Sequence, residues 1–158
     1  MPVIHLTTFV AAPVDAVFDM SRHIGLHKIS QQDYSEEAIS GTTSGLINKG
    51  EVVKWKAKHV FKIRYMTIKI TDMNAPHFFE DSMINGDFKS FVHKHHFKAA
   101  NNGTIMIDEL FFETPYGIVG NLFNQFYLTH YLKTVLEKRN NIICKYAETG
   151  KWKALLTR

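Results

Sequence analysis

The chain has 158 residues, 45% of them apolar and 22% charged, a balance that fits a folded globular unit and excludes a disordered or fibrous chain. Cys144 is the sole cysteine, which excludes an intrachain disulfide and a cysteine-rich zinc site, and no apolar run reaches the ~18 residues of a membrane span. Nineteen basic against fifteen acidic residues leave a net charge of +4, modest for a dedicated nucleic-acid binder, so no nucleic-acid partner is expected.

In chain order, Val3 to Val10 alternates and reads as a first strand. Ala12-Pro13-Val14-Asp15 then opens a short helix over about 13–20, because proline suits a first helical turn and Asp15 favours its positive end. A second short helix is expected over 24–29. The stretch 31–50 is polar and turn-rich, with a short strand near 37–40, and its glycines lack the Lys-Ser/Thr of a phosphate loop. From Glu51 the period is two, giving antiparallel strands near 51–59, 62–73, 77–84, 88–99 and 104–114. Asn85-Gly86 and Asn101-Asn102-Gly103 mark hairpins, whereas the break near Val60 to Lys62 has no glycine to support it. Tyr116-Gly117 ends the sheet. From Ile118 to about Tyr146 the period becomes 3.6, with Ile118, Leu122, Thr129, Leu132, Leu136 and Ile143 in one stripe flanked by Phe126. A helix roughly 40 Å long must lie along something wide, and a curved sheet is the candidate. One domain over residues 1–150 is expected, with a basic tail at 151–158. Met1 to Val10 carries no secretory pattern, so a cytoplasmic protein is expected.

Charge is uneven. Lys49, Lys54, Lys56, Lys58, Lys62, Arg64 and Lys69 stand against one acid, Glu51, and the alternating Lys54, Lys56 and Lys58 share one strand face. That face is either a solvated edge that discourages pairing or a patch for anions.

A two-residue turn at Asn101-Asn102 sets Phe97 opposite Met106, His95 opposite Asp108, His93 opposite Leu110 and Phe91 opposite Phe112, all on one face. The other face carries Ser90, Lys94, His96, Lys98, Glu109 and Glu113, so the first is the interior. Asp81, beside Phe79 and Met83, and His59, beside Trp55, face the same way. The set His59, Asp81, His93, His95 and Asp108 has four readings: a satisfied structural network, ligand-orienting groups in an apolar cavity, metal ligands, or acid–base catalysis. No compact metal motif is present and no metal or cofactor is expected. His5, His23, His27, His77, His96 and His130 read as surface or element-end residues, and Cys144 as structural.

Several segments carry a family resemblance. They are Ala12-Pro13-Val14-Asp15-Ala16-Val17-Phe18, Phe79-Glu80-Asp81, Gly86-Asp87-Phe88 and Phe91-Val92-His93-Lys94-His95-His96-Phe97. Gly103-Thr104-Ile105-Met106-Ile107-Asp108-Glu109 and Pro115-Tyr116-Gly117-Ile118-Val119-Gly120 continue the match. Together with the element order, these segments resemble the SRPBCC or START-like helix-grip superfamily, in its bacterial polyketide cyclase-like branch. Asp87 stands where that branch usually has proline, and Phe91 where it often has tryptophan. The resemblance implies an α+β helix-grip fold, with a curved antiparallel sheet of about seven strands wrapped around a long C-terminal helix and two short helices after the first strand. It also implies a small hydrophobic ligand, lipid-, sterol- or polyketide-like, between sheet and helix. Trp55, Phe91, Phe112, Leu122 and Phe126 would then supply contact area, and His59, Asp81, His93, His95 and Asp108 would orient a polar group. The alternative is a cyclase, dehydratase or isomerase with His95 as base and Asp108 as its orienter. A further alternative is an anion-binding module that uses the lysine face. Oligomeric state stays open between monomer and dimer.

Overall fold

The computed structural model describes residues 1–115 and 121–157, with side chains of the long helix described from Gln125 onward. Strand β1 (Val3–Val10) leads into two short helices, α1 (Val14–Ser21) and α2 (Ile24–Ser30), and a single 3-10 turn at Gln32–Tyr34. The strands β2 (Glu37–Gly41), β3 (Val52–His59), β4 (Lys62–Asn74), β5 (Phe78–Asn85), β6 (Ser90–Ala100) and β7 (Gly103–Glu113) follow. Helices α3 (Asn121–Glu148) and α4 (Lys151–Leu156) complete the described chain.

The seven strands form one sheet in the order β1-β7-β6-β5-β4-β3-β2, with every neighbour antiparallel. Register shifts leave an extra residue in β2 against β3 and one each in β4 and β5 where those strands pair, which bends the sheet. Gly41 sits at such a tight place: its φ is +76°, and a Cβ there would meet the Val52 carbonyl oxygen at 2.0 Å. The result is an α+β helix-grip fold, a curved sheet with the long C-terminal helix laid across it.

The hairpin register is the one the sequence implies. Ala100 pairs with Gly103, which brings His95 opposite Asp108 and Phe91 opposite Phe112. Along β6 the burial alternates, with His93, His95 and Phe97 inside and Lys94 and His96 outside. The glycine-free break between β3 and β4 is a two-residue turn in which Val60 (φ 50°) and Phe61 (φ 63°) both take the left-handed region.

The main core gathers under α1. Phe18 meets Phe79 and Phe97 edge-on, at ring-centre distances of 5.7 and 5.5 Å, and Met20, Met106 and Ile143 close around them. Each fully buried side chain of this size contributes about 1.5–3 kcal/mol. A smaller cluster of Ile4, Leu110, Phe112 and Leu136 fixes the middle of α3 to the β1 edge. Helix α3 packs on β1 and on α1, α2 and α4, and so it bridges the middle of the sheet instead of resting on it.

The start expected at Ile118, and Tyr116-Gly117 with it, lie outside the described residues. Residues 151–156, read as tail, are helical: Gly150 (φ 68°) reverses the chain, and Trp152, Leu155 and Leu156 pack half-buried against the main core. Their three- and four-residue spacing was hidden among Lys151, Lys153 and Arg158.

Candidate functional site

Between the sheet, α2 and α3 lies a cavity of about 560 Å³. Bridging by α3 makes this space, and inward-facing residues of β3 to β6 wall it. Trp55, Ile68, Ile70, Phe79 and Phe91 line it from the strands and Leu132 from the helix. Of the site residues expected from sequence, Trp55, His59, Asp81, Phe91, His93 and His95 reach the cavity.

Four do not. Asp108 is fully buried and surrounded by hydrogen-bond donors. Phe112 is packed behind the wall, in the cluster with Ile4 and Leu136. Phe126 is 75% exposed, because the face of α3 turned to the cavity runs through Leu128, Tyr131, Leu132 and Val135, about 200° around the helix from it. The side chain of Leu122 lies outside the described residues.

The buried polar groups form one network. His93 Nε2 bonds Asp108 Oδ1 at 2.9 Å, and His95 Nε2 bonds Asp81 Oδ2 at 2.8 Å. Both bonds are diagonal across the strands: the residue directly opposite His93 on β7 is Leu110, and that opposite His95 on β5 is Phe79. Arg139 of α3 donates to Asp108 Oδ1 at 3.2 Å and stands 3.4 Å from His95 Nδ1, itself 3.2 Å from Asp108 Oδ1. Asn140 donates to Asp108 Oδ2 at 2.8 Å and to Thr8 Oγ1 at 3.1 Å. The rings of His93 and His95 lie 3.7 Å apart, and Phe79 stacks on His95 at 4.0 Å.

Burial alone would raise the pKa of Asp108, but the Arg139 charge and the bonds from His93 and His95 outweigh it and hold the carboxyl well below its usual range. Asp81 follows the same balance: burial opposes ionisation, and the bond and charge of His95, then His93 and Arg139, lower its pKa. Burial and the neighbouring His95 lower the pKa of His93 and keep it neutral. An ionised Asp108 only accepts, so His93 carries its proton on Nε2 and keeps Nδ1 as an acceptor.

His59 stands apart from this network. Its Nδ1 bonds the Tyr131 hydroxyl at 2.6 Å, with Tyr34 tilted over its ring at 4.8 Å. Burial, then the nearby Tyr34, pushes Tyr131 up to about 12, and burial lowers the pKa of His59. His27, read as a surface residue, lines the cavity, bonds Glu36 at 3.0 Å and packs on Trp55 at 4.6 Å. Gln31 also lines it, and its Oε1 is buried with no hydrogen-bond partner among the described residues.

Sequence reasoning missed Arg139, Asn140, Tyr131 and Gln31. For the first two a signal existed: both fall three or four residues from Leu136 and Ile143 on the inward stripe of the helix, and two inward carboxylates call for a cation.

The cavity is thus offered a carboxylate (Asp81, its side chain 15% exposed), a ring-nitrogen acceptor (His93), a guanidinium edge (Arg139) and a phenol (Tyr131) on otherwise apolar walls. Asp81, His93 and His95 each present one donor atom within 4.8 Å of the others, a set able to hold a divalent cation. The fixed charge of Arg139 beside His95 opposes that use.

The sequence matches no protein-family model and no curated protein. Solved structures do match it in shape. The KanY protein aligns at 16% identity over 94% of this chain and 99% of that one, with a TM-score of 0.72. A START superfamily protein from Mycobacterium smegmatis aligns at 10% identity over 93% and 97% of the two chains, with a TM-score of 0.70. Ara h 8.0201 aligns at 13% identity over 90% and 97%, with a TM-score of 0.63. At these identities the likeness is one of fold, and the fold is START-like.

Proposed function

We propose that this START-like fold binds and carries a small, largely apolar molecule in the space between sheet and α3. The observation that supports this reading is the cavity itself, about 560 Å³ of mainly apolar walls with a few convergent polar groups. That volume falls in the range of about 300–1,000 Å³ typical of small-molecule sites. The ligand's apolar body would lie against Trp55, Phe79 and Phe91. A hydroxyl or carbonyl would be oriented at Asp81, His93 and Arg139, and a second polar group about 12 Å along the helix at Tyr131. Lipid-, sterol- and polyketide-like molecules all meet this description.

Native mass spectrometry of the freshly purified protein, repeated after organic extraction, tests the reading. A discrete extra mass that extraction removes is the expected result. Retention of no lipid, sterol or aromatic probe, with no shift in melting temperature from any of them, would overturn it.

One observation favours a catalytic use of the same space. Asp81 faces the cavity while its bonded partner His95 is backed by Arg139 and Asp108, a chain of ionisable groups ending at a prospective substrate. In this reading Asp81 and His95 move a proton on a carbonyl compound, as in a cyclisation, dehydration or isomerisation, and Asp108 is a positioning residue. A carbonyl compound recovered from the cavity would be converted by the native protein and left unchanged by Asp81→Asn. Equal conversion by the two would exclude this use.

A further inference from the structure

We infer that the β3–β4 hairpin tip docks on an anionic lipid bilayer, with Val60 and Phe61 entering the headgroup layer and the surrounding lysines meeting its phosphates. The inference does not depend on what the cavity holds.

The first observation is the turn itself. Both central residues of the His59-Val60-Phe61-Lys62 connection have positive φ, at 50° and 63°. A two-residue hairpin of this kind favours Asn-Gly, and a β-branched residue in the left-handed region is an outlier. The chain therefore places valine and phenylalanine where local backbone energetics disfavour them, and Phe61 gains no burial in return. Phe61 is 94% exposed and Val60 47%, with Ile63 and Tyr65 also exposed just beyond. Strain held at an exposed apolar tip points to a surface that receives it.

The second observation is charge. The hairpin from Val52 to Lys69 contains no acidic residue. Lys56 and Lys58 pair across the strands with Tyr65 and Ile63 on the outer face, and Lys54 lies over the Tyr65 ring at 5.4 Å. Among the described residues, Lys54, Lys56, Lys58 and Lys62 form no ion pair with a carboxylate. The one guanidinium of the hairpin, Arg64, is bound to Asp87 at 2.6 Å. Apolar side chains ringed by unpaired lysines match an anionic interface, where each lysine gains from the surface potential. A second copy of this chain would set like charge against like.

The third observation is position. Val60, Arg64, Tyr127 and Tyr131 all line the cavity, Tyr131 is bonded to His59, and Tyr127 is exposed and stacked on Tyr131 at 6.3 Å. Docking through the tip would therefore bring this end of the cavity against the bilayer. No described helix is long and apolar enough to cross a membrane, so the contact is an interfacial one.

Co-sedimentation of the full chain with vesicles tests the inference. Vesicles of equal parts phosphatidylglycerol and phosphatidylcholine should bind the protein at least about tenfold better than phosphatidylcholine alone. The double variant V60N/F61G installs the favoured turn, so it should fold with an unchanged or higher Tm and lose binding by about tenfold. Three results would overturn the inference: no binding to either vesicle, binding undiminished in V60N/F61G, or a concentration-dependent dimer that the same variant dissolves.

Discussion

Arg139 is 4% exposed, and its guanidinium stands among Asp108, Asn140 and His95 while Asp81 lies on the far side of His95. Replacing it with methionine leaves two inward carboxylates without their cation, and breaking such a buried set costs about 3–5 kcal/mol. The pH dependence has a definite sign. Asp108 and Asp81 have lowered pKa values in the folded protein, so the stability they confer is present above the unfolded carboxylate value and is lost as pH falls through the folded one. The deficit of Arg139→Met should thus be largest near neutrality and shrink as pH falls, because Asp108 of the variant, without the guanidinium, takes up a proton before the native one does and then needs no cation, as urea unfolding at about pH 7 and pH 4 would read. His93 acts in a higher window. Its folded pKa is lowered, so its contribution is full above about pH 6.5 and declines as the unfolded imidazole takes up protons below that. His93→Gln, which keeps a donor toward Asp108, should flatten the stability profile between about pH 6.5 and 5, by up to ~1.4 kcal/mol per pH unit. An unchanged slope would mean that His93 titrates as freely folded as unfolded.

At the scale of elements, α4 gives the simplest test. Trp152, Leu155 and Leu156 are half-buried against the core beside α1, so deleting residues 151–158 should cost about 3 kcal/mol and lower the calorimetric Tm. If instead the Tm holds, these contacts add nothing to the fold. The register and inward face of β6 and β7 were legible in the sequence because Asn101-Asn102-Gly103 fixes the hairpin and a one-residue slip would expose Phe97, Met106 and Leu110 together. The partners within the network were legible only in part. His95 stands 3.2 Å from Asp108, as alternation implies, but side chains lean along their strands, so His95 also bonds Asp81 and Asp108 also receives His93. Nor does a strand pattern show what a helix brings down from above: Arg139 and Tyr131 come from α3, and its rotation sets them inward and Phe126 outward. The β3–β4 break could be located but not shaped, because Val60 and Phe61 carry none of the usual turn chemistry.

For the molecule as a whole, the proposed function rests on α3 standing off from the sheet. Leu132 faces that space from the helix, so the larger ring of Leu132→Trp has room to extend into it. The variant should stay within about 1 kcal/mol of the native stability while any co-purifying mass disappears. Loss of stability with the mass retained would mean that the space is not where the ligand sits. The same stand-off has a mechanical side. A void of about 560 Å³ corresponds to about 340 mL/mol, several times the ~20–100 mL/mol by which proteins contract on unfolding. The space would take roughly twenty waters or a guest of similar bulk. Water already inside adds nothing to that contraction, whereas dry gaps around an apolar guest add to it directly. Hydrostatic pressure would then distinguish two forms of one fold, stripped and loaded, as bodies of different compressibility with every protein contact the same.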